Sequence, residues 1–371
     1  MDEAASRDGT RRFRERVAGT VPPQHFREGP NGLLLSSIGI GTYLGEPNEE
    51  TDAAYGQTLV AAVALGTNVL DTAINYRAQR SERTIGMALA ALIEAGELTR
   101  DEVVVCTKGG YLPFDGDCPA DAGKYFQETY VRSGLLTPAD LVAGSHSLAP
   151  RYLLDQIERS RRNLRLATLD VYYLHNPETQ LTAVDRTTFH TRMTGAFRVL
   201  ERAVDQGKIG YYGVATWNGF RVGADEREYL SLADLVELAA REFGKGHHFR
   251  FVQLPCNLAM PEAFTLRSQR VGDHFGSLVE AADALSMTVI ASASLLQGQL
   301  AGRMPDILAR SMVGLDTDAQ RSIQFVRSTP GITTALVGMR QRAHAEENLA
   351  VARRPPASQE DFLRLFTSRE G

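Results

Sequence analysis

Residues 68–108 read NVLDTAINYRAQRSERTIGMALAALIEAGELTRDEVVVCTK, and their periodicity changes twice. The apolar run Val69–Asp71 is too short for a helix. Ser81–Ala95 then carries apolar residues at helical spacing, and Val103–Lys108 is a run rich in β-branched residues. A strand, a helix and a second strand in succession form a unit that lays two strands side by side in parallel. Such a crossover needs a dozen residues or more, and this spacing supplies them.

The same alternation extends in both directions. Upstream, a strand is predicted at Ile38–Gly41 and a helix at Asp52–Leu65. Downstream, helices at Arg151–Leu166, Phe189–Gln206, Leu232–Phe243, Val271–Leu285 and Ala319–Arg327 are interleaved with strands at 170–175, Ile209–Thr216, Phe251–Leu254, Thr288–Ser292 and Thr333–Gly338. Eight strands separated by helices predict an α/β fold, a (β/α)8 TIM barrel. A doubly wound sheet would need a G-x-G-x-x-G turn. The nearest stretch, GIGTYLG at 39–45, has the wrong last spacing, and no G-x-x-x-x-G-K-[ST] loop occurs.

Ahead of the barrel, HFREGP, Asn31-Gly32 and LLLSSIGIG predict an N-terminal β-hairpin turning at Asn-Gly. Residues 1–24, charged and closing on Pro22-Pro23, predict a flexible N-terminal arm, and 25–371 a single barrel with a C-terminal helical segment at 343–371. A long insert between Gly109 and Pro150 follows the third strand. Its Tyr111, Leu112, Pro113, Phe114, Tyr125, Phe126 and Tyr130 suit either a cover over a pocket or a surface flap.

Composition removes several functions. Across 371 residues, 40 Lys and Arg face 45 Asp and Glu, a net charge of −5, so no broad positive field exists for a nucleic acid. No apolar run reaches membrane-spanning length, and Met1–Arg16 is charged where a signal peptide is apolar. Cys106, Cys118 and Cys256 are few, scattered and odd in number, which fits a reducing compartment; the expectation is a cytoplasmic protein. His247, His248 and Cys256 lack a fourth ligand at matching spacing, so no metal is expected.

In a barrel of this kind, side chains at the carboxyl ends of the strands share one mouth. Asp71 ends the second strand and runs on to Tyr76, Lys108 ends the third, and His175 ends the fourth. A phenol with a free pKa near 10 donates a proton more readily when an ammonium stabilises its anion. A carboxylate keeps that ammonium charged, and an imidazole donates a hydrogen bond to the same oxygen. The four together protonate an oxygen that is gaining negative charge. Hydride arriving at a carbonyl carbon creates such charge, and since no side chain delivers hydride, a nicotinamide cofactor is implied. Two other readings remain open: a nicotinamide-binding regulatory or redox-sensing module with little turnover, and a barrel that uses Lys108 as a Schiff-base nucleophile.

The stretches IGIGTYLG (38–45), NVLDTAINY with SERTIG (68–86), VVVCTKGG (103–110), LDVYYLHNPE (169–178), IGYYGVATWN (209–218), FVQLPCNL (251–258) and ALVGMRQRAHAEENLA (335–350) resemble, in order, the aldo-keto reductase superfamily. The resemblance runs from about His25 to about Ala352. It implies an NADPH-dependent oxidoreductase acting on CH–OH/C=O, a small-molecule carbonyl substrate, and Asp71, Tyr76, Lys108 and His175 as catalytic tetrad, with Tyr76 the general acid. It further implies a cofactor site made of Gly41, Thr42, Tyr43, Asp71, Thr216, Gln253, Ser292, Leu295, Gly298, Gly338, Arg340, His344, Glu347 and Asn348. Within it Gln253, with Asn257 nearby, would meet the carboxamide, Thr216 would replace the family's usual asparagine, and Arg340 would hold a 2′-phosphate of NADPH (NADP+). Tyr43, Tyr111 and Trp217 are implied as the substrate pocket. The family's aromatic after the seventh strand is absent, the text there being SASLLQGQL (292–300).

Overall fold

The structure, a computed structural model, describes residues 4–302, 312 and 314–367. The barrel strands are β3 (Ile38–Gly41), β4 (Val69–Asp71), β5 (Val104–Gly109), β6 (Leu169–His175), β7 (Ile209–Ala215), β8 (Phe249–Pro255), β11 (Thr288–Ser292) and β12 (Ile332–Gly338). They close in that order, β12 returning to β3, and every pairing is parallel. The fold is therefore a (β/α)8 barrel. β5 is buried along its whole length, as a strand with the barrel interior on one face and helices on the other must be.

The helices between the strands begin where capping chemistry places them. Asn48 accepts from Thr51 N to start Glu49–Ala64, with Glu49, Glu50 and Asp52 in the first turn, and Asp185 accepts from Thr188 N to start Arg186–Asp205. Pro150 opens Pro150–Leu164, which stops at Arg165 in the left-handed region, φ 57°.

The hairpin is present, β1 (Phe26–Glu28) pairing antiparallel with β2 (Leu34–Ser36). Leu33 and Leu35 pack with Val69, Val104, Val171, Phe251 and Leu336, so the hairpin plugs the barrel interior.

Two expectations are corrected. The flexible arm is instead a helix, Arg7–Arg16, capped by Ser6, with Phe13 0% exposed. Ala5 N donates to Asp170 Oδ1 at the start of β6, Arg12 pairs with Asp101 and Arg16 with Glu102, so the helix lies across the amino ends of the strands. The helix predicted at Val271–Leu285 is a second small hairpin, β9 (Gln269–Val271) with β10 (His274–Gly276), followed by the helix Leu278–Ala284. Of the two readings left open for the insert, packing away from the cavity dominates. Phe114, Tyr125, Phe126 and Tyr130 pack on one another and on Tyr152 of Pro150–Leu164, leaving only Tyr111 of the insert on the main cavity. The C-terminal segment contains the helices Arg342–Leu349 and Gln359–Thr367; its residues 368–371, like residues 1–3 of the arm, lie outside the described residues. Among the described residues no helix is long and apolar enough to cross a membrane.

Candidate active site

A cavity of about 1010 Å³ opens at the carboxyl ends of the strands. The loop from β4 to Tyr76 continues through Arg77, Ala78 and Gln79, three successive residues at positive φ (48°, 54° and 69°). Such non-glycine conformations cost of order 1–3 kcal/mol each and persist only where neighbours enforce them. Here Asp52 takes ion pairs from both Arg77 and Arg80, and Arg77 also donates to Glu46 O and lies over the Tyr55 ring. The clamp fixes the chain directly after Tyr76.

Lys108 Nζ donates to Asp71 Oδ1 at 2.5 Å and to Thr72 O at 2.8 Å, and Gln253 Nε2 donates to Asp71 Oδ2 at 2.8 Å. The Lys108 and Asp71 side chains are 1% and 5% exposed. Burial pulls the ammonium down, but Asp71 and Tyr76 together outweigh it and Lys108 ends above its ordinary value. Lys108 Nζ stands 5.1 Å from the centre of the half-buried Tyr76 ring, which meets the His175 ring edge-on with centres 5.8 Å apart. Burial pushes the Tyr76 phenol up, with Lys108 opposing and Asp71 reinforcing, so it keeps its proton at neutral pH. Burial and the Lys108 charge hold His175 well below the usual imidazole range. His175 is thus neutral, and its Nδ1 is buried without a partner among the described residues.

The predicted residues converge. Gly41, Thr42, Tyr43, Asp71, Tyr76, Tyr111, His175, Thr216, Trp217, Gln253, Ser292, Leu295, Gly298, Gly338, Arg340, His344, Glu347 and Asn348 all line this one cavity. Lys108 does not; it lies behind Asp71. Asn257 also stands behind the wall, donating to Ala293 O. Tyr43 and Trp217 are 55% and 42% exposed. Among the described residues, Thr216 Oγ1 and Ser294 Oγ are buried on the cavity without hydrogen-bond partners and Arg340 forms no ion pair.

Several participants escaped sequence reasoning. Asn176, next to His175 and at φ 45°, donates to the Tyr111 hydroxyl at 3.2 Å. His146, from the insert, places Nε2 2.7 Å from His175 O and receives Gln180 Nε2 at Nδ1, also 2.7 Å. An Nδ1 that accepts leaves the proton on Nε2, which therefore donates to His175 O. Gly110, at φ +146°, lets the insert leave β5 here: a Cβ would sit 2.9 Å from His175 O and 3.0 Å from His146 Nε2. Adjacency to His175 pointed to Asn176; nothing local pointed to His146.

The model of the "Aldo/keto reductase family" matches residues 37–224. The chain belongs to the aldo/keto reductase family. Membership supports an oxidoreductase. Among solved structures, the fold is similar to an aldo-keto reductase from Bacillus halodurans in holo form, at TM-score 0.62 and 15% identity, over 92% of this chain and 95% of that one. It is similar to an aldo/keto reductase from Klebsiella pneumoniae in complex with NADP and acetate, at 0.61 and 20%, over 94% and 98%. It is also similar to a glycerol dehydrogenase from Gluconobacter oxydans, at 0.63 and 18%, over 93% and 94%.

Proposed function

We propose that this family member is an NADPH-dependent oxidoreductase that reduces an aldehyde or ketone to the alcohol, with Tyr76 as proton donor. The observation that carries the reading is the buried Asp71–Lys108 pair beside Tyr76 and His175 on the cavity wall. The protonated phenol donates to the carbonyl oxygen. Lys108 remains charged and stabilises the phenolate left behind, while neutral His175 orients the same oxygen by a hydrogen bond.

The cavity suits the cofactor. Among the described residues, Thr216 Oγ1 and Ser294 Oγ have no hydrogen-bond partner and Arg340 has no ion pair. Thr216, Gln253, Ser292, Leu295 and Gly298, with Gly41, Thr42 and Tyr43, would hold the nicotinamide half; Gly338, Arg340, His344, Glu347 and Asn348 would hold the adenosine and its 2′-phosphate. NADPH, when bound, supplies the hydride. The Schiff-base reading loses support because Lys108 is enclosed and donates to two acceptors, leaving no free amine facing the cavity.

Mixing the protein with NADPH and a panel of aldehydes and ketones should consume NADPH, and Tyr76→Phe should slow turnover by about 10²- to 10⁴-fold, the usual value of a general acid. Equal rates in both would remove Tyr76 from the chemistry. Tight NADPH binding with no carbonyl turned over would favour the regulatory module instead.

A further inference from the structure

The loop after β7 carries Trp217 and is fastened by one carboxylate from the loop after β6. Glu178 Oε1 accepts the backbone N–H of Trp217 at 2.6 Å, of Asn218 at 3.0 Å and of Gly219 at 3.4 Å. Successive N–H groups aimed at one oxygen make a concavity suited to an anion. Glu178 is 2% exposed, and its Oε2 is buried without a partner among the described residues. At Gly219 a Cβ would crowd Leu230, 2.8 Å from its Cδ1, and would touch Glu178 Cδ only at van der Waals distance, 3.5 Å. The proton chemistry at Tyr76 makes no use of this group.

We propose that Glu178 is a positioning residue: its carboxylate holds the 217–219 backbone and thereby sets Trp217 at the rim of the cavity, next to the carbonyl substrate. The substrate half of this inference rests on the oxidoreductase reading; the clasp itself does not. Burial pushes the Glu178 carboxyl up to about 7, against the pull of the N–H groups of Trp217, Glu178 itself, Asn218 and Gly219. The charged groups on the surrounding elements are engaged elsewhere. Arg221 pairs with Glu262 and donates to Trp217 O, Glu228 accepts from the Asn218 side chain, and Arg227 donates to Leu181 O. From the helix Arg186–Asp205, Arg186 donates to Tyr229 O and Arg192 to Gln180. On the strand side, burial holds His175 and His146 below the ordinary imidazole range. None of these groups forms an ion pair with Glu178 among the described residues. Protonation replaces charge-assisted hydrogen bonds by weaker neutral ones and gives Oε2 a proton with no acceptor in place. The clasp is therefore tight above about pH 7 and slack below it.

Trp217 is the single tryptophan, so its emission reports this loop in the full-length protein without cofactor or substrate. Its emission maximum and acrylamide quenching should change in one transition near pH 7 in the wild type and stay constant in Glu178→Gln. Glu178→Asp, with a shorter stem, should move the midpoint. A flat wild-type profile, a transition that survives in Glu178→Gln, or an unmoved midpoint in Glu178→Asp each overturns the clasp. In steady-state assays with NADPH, Glu178→Gln should raise KM for the carbonyl by about threefold to tenfold, leave kcat within about twofold, and flatten the pH profile of KM. A fall in kcat at constant KM overturns the substrate role. A protein that turns over no carbonyl at all defeats the oxidoreductase reading, and the fluorescence titration still decides the clasp.

Discussion

Asp71 receives Lys108 on one carboxylate oxygen at 2.5 Å and Gln253 on the other at 2.8 Å, so a buried charge pair is tied across the barrel from β5 to β8. Removing one partner strands the other charge without water, which costs about 3–5 kcal/mol. Lys108→Met should lose that much stability in urea unfolding at neutral pH, and adding Asp71→Asn should restore much of it. A single-variant loss below about 1 kcal/mol would show that water reaches the pair.

The insert should act on chemistry through His146. His146→Leu keeps an apolar body but leaves His175 O and Gln180 Nε2 unsatisfied, about 1–3 kcal/mol for each buried group. We expect kcat for the carbonyl to fall about tenfold with NADPH affinity unchanged, because His175 moves while the adenosine end does not. Fluorescence titration with NADPH beside steady-state kinetics separates the two, and unchanged kcat would sink the idea.

The same histidine should shape acid stability. An imidazole titrates near 6.5 in the unfolded chain, whereas burial lowers His146 to about 4 in the fold. The folded protein binds fewer protons over that interval, so the contribution is complete above pH 6.5 and is lost as pH falls toward 4. His25, lowered to about 3 by burial and Arg327, acts in the same direction; Glu178, raised to about 7, gains stability as pH falls from about 7 to its unfolded value near 4.5. Between pH 6.5 and 4.5 the unfolding free energy of the wild type should fall about 2 kcal/mol more than that of His146→Leu. Parallel slopes would mean that His146 is solvated.

The barrel was legible because its strands are short, largely apolar and largely buried runs between helices, and the candidate site residues cluster at or beyond their carboxyl ends. Every strand predicted from Ile38 to Gly338 is present. The failures have separate causes. Ser277 and Glu280 form a capping box that marks the true start of Leu278–Ala284, yet the apolar spacing from Val271 concealed the Gly272–Asp273 turn before it. In the arm, the four-residue spacing of Phe13 and Val17 was obscured by surrounding arginines. The aromatics of the insert announced burial without saying against what, and Glu178 and His146 owe their places to contacts between distant loops, which no local pattern encodes.

Arg340 should discriminate between cofactors. Its charge-assisted hydrogen bonds to a phosphate would each be worth about 1.5–3 kcal/mol. Arg340→Ala should weaken NADPH binding by about 10- to 100-fold and leave NADH almost unaffected. Equal losses for both cofactors would place the 2′-phosphate elsewhere.

The N-terminal helix should behave as part of the core. Phe13 is fully buried and meets Phe26 of the hairpin edge-on with ring centres 6.1 Å apart, while Thr10 Oγ1 accepts from Leu34 N at 3.0 Å. Because that hairpin plugs the barrel interior, loosening the helix loosens the plug. Phe13→Ala removes a buried ring and leaves a cavity, a change worth about 3–5 kcal/mol. Surface arginines of the same helix should matter far less: Arg12→Ala breaks an ion pair with Asp101 whose arginine is open to solvent, so screening leaves it little stabilising effect. Chemical denaturation of the two variants should therefore separate by several-fold in lost stability. A flexible arm would leave both indistinguishable from the wild type.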